Sequence, residues 1–330
     1  MQIPSSAATQ GGCFSYEQLL ATGWHKAHVE TAERTGRLVR VRPGVYAEGD
    51  LVAALDERGR RLLDIRADQL ALGPRWFAAR RSAATVLGLP LIGNAPDVPQ
   101  LVADRAGETE AHHRHRRFAA LPPADRGTCH GIQVVSPARV VADLAREETF
   151  RNAVVVADAV LGSGVERADL VACLGRMRRW PGVIKARRAV AFADGLAESP
   201  LESISRVALH ELGVPAPELQ VEVWLGARFL GRVDKLWRQF NTVGEDDGLG
   251  KYGGDDVSRR ATFREEKIRG EWLEDVGLEV ARWTWEEAWR PRDVLDARLE
   301  RAFARGRRQQ LDPRVHFLPT TVADRLRRAA

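Results

Sequence analysis

Helix-breaking residues divide the N-terminal region into short segments, and this division constrains its fold more than any other feature. Ser15 is followed three residues later by Gln18, a capping-box pattern that predicts the start of a first helix. Gly23 ends this helix. A second helix is predicted over Trp24–Arg34, and Gly36 is placed to act as its left-handed cap.

A β-hairpin is predicted directly after the second helix. Branched aliphatic residues at 38–41 favour a short strand, Pro43-Gly44 is typical of a turn, and Val45-Tyr46 favours a return strand. Helix, turn, helix and hairpin follow one another in the order of a winged helix-turn-helix. In such a module the second helix enters the major groove of DNA.

Basic side chains occur where a winged helix contacts DNA. The segment from Arg34 to Arg42 holds four arginines and no acid, so we expect the hairpin to contact phosphates. A helix-hairpin module that binds a protein is the alternative, and the pattern alone leaves both open. The predicted DNA-binding residues are His25, Lys26, His28, Arg34, Arg37, Arg40 and Arg42.

The stretch GGCFSYEQLLATGWHKAHVETAERTGRLVRVRPGVYA, at residues 11–47, resembles the N-terminal domain of AbiEi-like antitoxins of type IV toxin–antitoxin systems. The segment GRLVRVRPGVYA is its most specific part. The resemblance implies a regulator that binds promoter DNA and represses its own operon. It also implies a partner, a nucleotidyltransferase-like toxin that the antitoxin opposes. ARRSAATVLGLPLIG and GIQVVSPARVVADLAR resemble segments that follow the wing in the same proteins.

Composition narrows the class of protein. The chain has 330 residues, of which 44% are hydrophobic, so it suits two or three domains with real cores and is not disordered. Its three cysteines are far apart, which fits a reducing cytoplasm and argues against a disulfide scaffold or a structural zinc site. The sequence has neither a signal-peptide pattern nor an apolar run long enough for a bilayer. We therefore expect a cytoplasmic protein with no membrane partner.

The sequence predicts an α+β, multidomain protein without internal repeats. Residues 1–50 form the winged helix, 51–192 an α/β middle domain, 196–308 a third domain and 309–330 a basic tail. The tail belongs to a segment, 298–330, with nine arginines and three acids, which favours a polyanionic partner.

The middle domain alternates helix and strand signals and offers no convincing nucleophile–base pair. Ser82 and Ser136 are predicted to start helices, and Arg139 is predicted to pair with Asp143 four residues later. The predicted elements are helices at Leu51–Leu72, Ala79–Leu87 and Pro137–Ala145, and strands at Val98–Val102 and Ile132–Val135.

The third domain is predicted to have the order αβββαβ, the core order of restriction-endonuclease-like folds. Gly213 ends its first helix. The predicted elements are helix Ser199–Leu212, strands Leu219–Leu225, Phe229–Leu236 and Thr242–Asp247, helix Phe263–Val276 and strand Leu278–Trp285.

This order brings carboxylates together. Asp234 lies on the second predicted strand, whereas Glu245 and Asp247 lie two residues apart on the third and should share one face. Such oxygen ligands suit Mg²⁺, which can activate water and stabilise charge on a phosphate. We predict Asp234, Glu245 and Asp247 as metal ligands, with Glu202 approaching from the opening helix. Lys251 is predicted to complete the catalytic set.

The third domain resembles the PD-(D/E)XK nuclease superfamily, and more closely the DUF559 family related to very-short-patch-repair endonucleases. The resemblance rests on Asp234, on the segment Glu245-Asp246-Asp247-Gly248, and on the later pieces KYG, FREEK and WTW. It implies a nuclease-type fold whose site lies at Asp234 and Glu245.

Two positions depart from that pattern. Asp246 stands where a central strand should carry an apolar side chain, because an unpaired buried carboxylate is costly. No lysine stands two residues after Glu245, so Lys251 would act from a shifted position. The third strand is therefore either distorted or part of a degenerate site. Three functions stay open: a DNA-binding regulator with a nuclease-like domain, an active Mg²⁺-dependent endonuclease, and a protein-binding antitoxin without nuclease activity.

Overall fold

The computed structural model describes residues 2–94, 96–104, 111–113, 116–247, 268–291 and 294–329. The chain divides into two compact units. One comprises Met1–Val156 and Arg167–Arg188, and the other comprises Ala157–Glu166 and Ala189–Ala330. Helices and sheets are mixed in both, which confirms the predicted α+β, multidomain class.

The first unit opens with a small three-stranded antiparallel sheet packed on helices. The sheet order is β1-β3-β2, with Cys13 opposite Ala47 and Leu38 opposite Glu48. Both predicted helices and both strands of the hairpin are confirmed, and β1 is an additional strand. The elements are α1 (Ser6–Thr9), β1 (Cys13–Ser15), α2 (Tyr16–Ala21), α3 (Lys26–Arg34), β2 (Leu38–Arg42) and β3 (Val45–Glu48).

Local sequence signals set the ends of these elements. The Ser15 hydroxyl accepts from the Gln18 backbone N–H and the Gln18 side chain accepts from Ser15 N–H, so the predicted capping box is confirmed. Gly36 and Gly44 both have positive φ, at the end of α3 and in the hairpin turn. The core beneath consists of Phe14, Leu19, Trp24, Val29, Ala32, Leu38 and Tyr46.

The rest of the first unit holds a six-stranded sheet of order β6-β7-β5-β4-β9-β8 with helices. The elements from residue 49 onward are α4 (Gly49–Ala54), α5 (Glu57–Leu72), β4 (Trp76–Ala78), α6 (Arg80–Leu87), β5 (Leu101–Asp104), β6 (Ala111–His113), β7 (Arg116–Ala119), β8 (Arg126–Cys129), β9 (Ile132–Val135), α7 (Pro137–Glu147), α8 (Phe150–Gly162), α9 (Arg167–Arg176) and α10 (Val183–Phe192).

Several predictions for this region are confirmed and two are wrong. Ser136 caps α7, and the buried Arg139 Nε lies 2.9 Å from Asp143 Oδ2, as predicted. Ser82 does not start a helix but lies inside α6, where its Oγ accepts from the Gln100 N–H. The single helix predicted over 51–72 is two helices, because Asp56 caps α5 through the Gly59 N–H and stops α4 before it.

The second unit confirms the predicted αβββαβ order. Its sheet has the order β13-β12-β11-β10-β14, with β12 and β13 parallel and the other neighbours antiparallel. Its elements are α11 (Pro200–Glu211), β10 (Glu218–Leu225), β11 (Arg228–Trp237), β12 (Thr242–Asp247), α12 (described over residues 268–275), β13 (Glu279–Thr284), α13 (Trp285–Trp289), α14 (Leu295–Gly306), β14 (Val315–Pro319) and α15 (Val322–Ala329).

Residues predicted as a basic tail belong to this fold. Strand β14 pairs with β10 over five residues, from Val221 opposite Pro319 to Leu225 opposite Val315. Arg328 of α15 binds Glu222 of β10 at 2.6 Å. The sequence missed β14 because a strand of only five residues gives a weak periodic signal.

Among the described residues, none of the helices combines the length and the apolar character that crossing a membrane requires.

Candidate functional site

Helix α3 and the hairpin present a basic surface in the first unit. The buried side chains of Val29 and Ala32 hold one face of α3 against the core, which turns its opposite face to solvent. Six of the seven predicted DNA-binding residues are exposed: His25, Lys26, His28, Arg34, Arg37 and Arg40. We call these six residues the winged-helix surface.

Two contacts of the winged-helix surface involve residues of the same module. Lys26 Nζ lies 3.7 Å from Glu30 one turn along α3, and both side chains are well exposed, so the pair contributes little stability. The Arg37 guanidinium stacks 5.3 Å from the Trp24 ring. The cations of this surface are therefore accessible to a large anion.

Arg42 is the exception among the predicted residues. Its Nε donates to Asp68 Oδ1 at 2.8 Å, and its Nη1 binds Asp64 Oδ1 at 3.2 Å, both on helix α5. The side chain is only 24% exposed. Arg42 thus joins the hairpin to α5 and is less available to phosphates than the six exposed residues.

A cavity of about 610 Å³ in the second unit gathers three of the predicted carboxylates. Glu202 from α11, Asp234 from β11 and Glu245 from β12 all line it. The β11–β12 ladder runs as far as the pair Lys235–Gly244, and the next residues on the two strands are Asp234 and Glu245. The other lining residues are Glu198, Ser199, Phe229, Leu230, Gly231, Arg232, Arg269 and Trp272.

Gln220 links Glu202 to Asp234. Its amide Nε2 donates to Glu202 Oε2 at 2.9 Å and lies 3.4 Å from Asp234 Oδ1. The residue is buried and has φ +51° inside strand β10, a conformation that is costly for a non-glycine residue. Strained backbone of this kind tends to occur at functional sites.

The surroundings of Glu202 in this cavity shift its pKa. Burial, together with the nearby negative charge of Asp234, raises the pKa of its carboxyl to about 7. Its Oε2 also accepts from the Glu198 N–H at 2.9 Å. The carboxyl of Glu202 therefore exchanges its proton near neutral pH.

Arg269 places a positive charge at Glu245. The Nη2 of Arg269 donates to Glu245 Oε2 at 2.9 Å. Its side chain passes close over Gly231, where an added Cβ would lie 2.7 Å from Arg269 Cδ. Gly231 is thus needed for the approach of Arg269 to the acidic cavity.

Asp246 is buried and paired. Its Oδ2 forms an ion pair with the fully buried Lys235, and its Oδ1 accepts from the Ser205 hydroxyl. Ser205 Oγ in turn accepts from Trp283 Nε1 at 2.8 Å. Strand β12 pairs with β13 over all its residues, so the strand is formed and its inner charge is compensated.

The same strand orients Asp234. The backbone N–H of Asp246 donates to Asp234 Oδ2 at 2.9 Å, so the position of β12 fixes that carboxylate. The sequence patterns did not predict a role at this site for Lys235, Gln220 or Arg269. The role of Lys235 was predictable, because a lysine and an aspartate at inward positions of neighbouring strands can neutralise each other.

The remaining predicted site residues do not join this group. Asp247 is exposed and is not among the residues that line the cavity. Lys251 lies outside the described residues. In the described parts of the chain, no three His, Cys, Asp or Glu side chains are grouped so that they could hold a metal ion together.

Known proteins resemble both the winged-helix region and a longer part of the chain. Residues 1–49 match the protein family described as "Transcriptional regulator, AbiEi antitoxin". The chain is also 27% identical over 297 residues to uncharacterized proteins of Mycobacterium tuberculosis strains CDC 1551 / Oshkosh and ATCC 25618 / H37Rv, covering 86% of this chain and 98% of each relative. The N-terminal module is thus similar to the AbiEi antitoxin family over residues 1–49.

Proposed function

We propose that the protein is a DNA-binding transcriptional regulator of the type IV antitoxin kind. The observation that carries this proposal is the winged-helix surface, whose six basic side chains are exposed on α3 and the hairpin. The match of residues 1–49 to a family of transcriptional regulators supports it. In this account α3 enters the major groove and Arg37 and Arg40 contact phosphates.

A transcriptional reporter tests this proposal. The region upstream of the protein's own gene is fused to a reporter, and expression is measured with the wild type and with Arg37→Ala/Arg40→Ala. We expect repression by the wild type and its loss in the double variant. The matched control is Arg58→Ala/Arg60→Ala, which removes two exposed arginines beside Asp56 and Glu57 in the same unit. Equal repression by all three proteins, or by none, contradicts the proposal.

We propose as a second candidate that the cavity of the second unit supports Mg²⁺-dependent cleavage of DNA by a PD-(D/E)XK-type, DUF559-like site. The observation that favours it is the convergence of Glu202, Asp234 and Glu245 on one cavity, with the Glu202 pKa raised to about 7. A divalent cation would relieve the repulsion between Glu202 and Asp234, so these two residues fit such an ion. When bound, the ion would activate water and stabilise charge on a phosphate.

Two measurements test the second candidate. Supercoiled plasmid is incubated with Mg²⁺ or Mn²⁺ and either the wild type or Asp234→Ala, and nicking is expected only with the wild type. Thermal unfolding gives a readout apart from activity, since Mg²⁺ that binds the folded state raises the Tm of the wild type but not of Asp234→Ala. Cleavage that persists in Asp234→Ala, or a Tm unaffected by Mg²⁺, contradicts the candidate.

The proposal that the protein is an antitoxin-type regulator also includes a protein partner. The antitoxin family suggests a toxin as partner, and we propose a nucleotidyltransferase-like toxin. Such a toxin, encoded beside this chain, should co-purify with it in the absence of DNA. Failure of the two purified proteins to associate would remove the toxin from the proposal and leave DNA binding intact.

A further inference from the structure

A segment far from the winged helix in sequence has an unusual charge pattern. Residues 170–193 contain six basic residues and no acid, although the whole chain has 45 acidic residues among 330. The six are Arg176, Arg178, Arg179, Lys185, Arg187 and Arg188. This part of the chain forms the end of α9, a connecting loop and α10.

The six basic residues fall into two classes. Arg176 pairs with Asp125, and Lys185 Nζ donates to the Glu148 carbonyl oxygen at 2.6 Å, so both hold the segment to the first unit. The other four, Arg178, Arg179, Arg187 and Arg188, are exposed. Within the described part of the chain the side chains of these four form neither ion pairs nor hydrogen bonds.

The loop that carries Arg178 and Arg179 is firmly anchored. The Trp180 ring lies 5.0 Å from the Arg139 guanidinium and 4.7 Å from that of Arg146. Arg146 Nε also donates to the Pro181 carbonyl oxygen at 2.8 Å. Gly182, at φ +79°, lies so close to Arg146 that an added Cβ would be 2.3 Å from its carbonyl oxygen.

The anchoring cations are neutralised inside the unit, in contrast with the exposed ones. Arg139 lies 3.1 Å from Asp125 and 2.9 Å from Asp143, and Arg146 lies 3.4 Å from Asp143. All of these side chains are buried. Among the described residues, acids thus pair with the buried Arg139 and Arg146 and with none of the four exposed arginines.

Helix α10 adds a second part to this surface. Ile184, Arg187 and Arg188 are spaced three and four residues apart, so they share one face of the helix. Ile184 is 73% exposed, the largest exposure among the exposed hydrophobic side chains. We call Arg178, Arg179, Ile184, Arg187 and Arg188 the α9–α10 surface.

We infer that the α9–α10 surface is a second binding surface for nucleic acid, one that contacts the phosphodiester backbone without reading bases. This inference rests on the proposed DNA-binding function. Exposed arginines without acidic partners among the described residues favour a polyanion as ligand. Arginine forks match phosphate oxygens, and a rigid loop loses little entropy when it binds.

A salt titration tests this inference with the full-length protein. Fluorescence anisotropy follows binding to a labelled duplex of the upstream region and to a random duplex of equal length. The variants are Arg178→Ala/Arg179→Ala and Arg187→Ala/Arg188→Ala, and the matched control is Arg58→Ala/Arg60→Ala. Each phosphate contact contributes about 0.9 to the slope of log K against log salt, so each test pair should lower the slope by up to about 2.

The outcomes separate the two proposals. The inference predicts weaker binding to both duplexes in both test pairs, because backbone contacts are independent of sequence. If the wild type binds and Arg37→Ala/Arg40→Ala weakens it, while both test pairs behave like the control, only the inference is wrong. If the wild type binds neither duplex, both proposals are wrong. Binding to poly-glutamate, measured in the same way, tests an acidic protein as the partner. If the test pairs lose binding to poly-glutamate but bind DNA unchanged, the surface binds an acidic protein and the inference is wrong.

Discussion

Lys235 and Asp246 are two buried charges on neighbouring strands that compensate each other. Neither side chain has access to solvent, and the Trp283 ring lies 5.4 Å from Lys235 Nζ. The sequence showed Asp246 as an isolated charge in a central strand, because pairing between strands is not visible in a linear pattern. The structure supplies the partner, and Ser205 and Trp283 complete its hydrogen bonds.

Removing one member of this pair should destabilise the second unit strongly. Asp246→Leu leaves a buried lysine without its counter-ion, and Lys235→Met leaves a buried carboxylate. Each should lower the free energy of unfolding by about 3–5 kcal/mol in urea denaturation. The double variant should recover much of that loss, since both charges are gone. Additive losses in the double variant would show that the two residues do not act as a pair.

Glu202 should make the stability of the second unit depend on pH. Its folded-state pKa, about 7, lies above the ordinary glutamate pKa of 4.5, so the folded state holds the proton more tightly. The contribution is complete below about pH 4.5 and is lost as pH rises towards 7, by about 1–3 kcal/mol. Urea unfolding of the wild type should therefore show decreasing stability over this range.

Glu202→Gln provides the comparison, because glutamine keeps the shape and does not titrate. We expect a clearly flatter pH dependence in this variant. Asp158, whose pKa burial raises to about 6, should contribute a remaining slope of the same sign in both proteins. Identical pH profiles for the two proteins would contradict the assignment of this titration to Glu202.

At the scale of elements, the hairpin is attached to α5 through Arg42. Arg42→Ala should lower the stability of the first unit by roughly 1–3 kcal/mol, because it removes the charge partner of Asp64 and of the buried Asp68. Arg40→Ala, two residues away and exposed, should leave stability almost unchanged and weaken DNA binding instead. Thermal unfolding and anisotropy on the same two samples separate these effects. If Arg42→Ala weakened DNA binding while Arg40→Ala lowered stability, Arg42 would be assigned as a residue that contacts DNA.

Strand β14 completes the sheet of the second unit. Deleting residues 309–330 removes β14 and α15, uncovers the edge of β10, and leaves Glu222 without its ion pair to Arg328. We expect a lower Tm for the second unit and a greater tendency to aggregate through the uncovered strand. Circular dichroism melting and light scattering measure both. An unchanged Tm would mean that these residues add no stability to the second unit and form only the basic tail that was predicted from the sequence.

Elements with strong local signals were predictable, and elements held by distant pairing were not. The capping box at Ser15 and the helix cap at Ser136 both rest on adjacent residues. Strands β1 and β14 are short, and each is fixed by a partner strand far along the chain. The acidic cavity was partly predictable, because strand alternation places Asp234 and Glu245 but cannot reveal Gln220 or Arg269.

At the scale of the whole molecule, one chain carries a winged-helix module in its first unit and a carboxylate-lined cavity in its second. The similarity to the mycobacterial proteins covers 86% of the chain, so it includes parts of both units. The exposed basic residues of the first unit are the strongest indication of a partner, and the proposed function depends on their binding to DNA.

The salt dependence of DNA binding by the full-length protein is the decisive measurement of whether these basic residues bind DNA. Anisotropy with the upstream duplex, from about 50 to about 200 mM salt, should show log K falling linearly with log salt. Arg37→Ala/Arg40→Ala should bind more weakly and reduce the slope by about 2, whereas Arg58→Ala/Arg60→Ala should match the wild type. Absent binding, or binding that does not change with salt, would contradict the account.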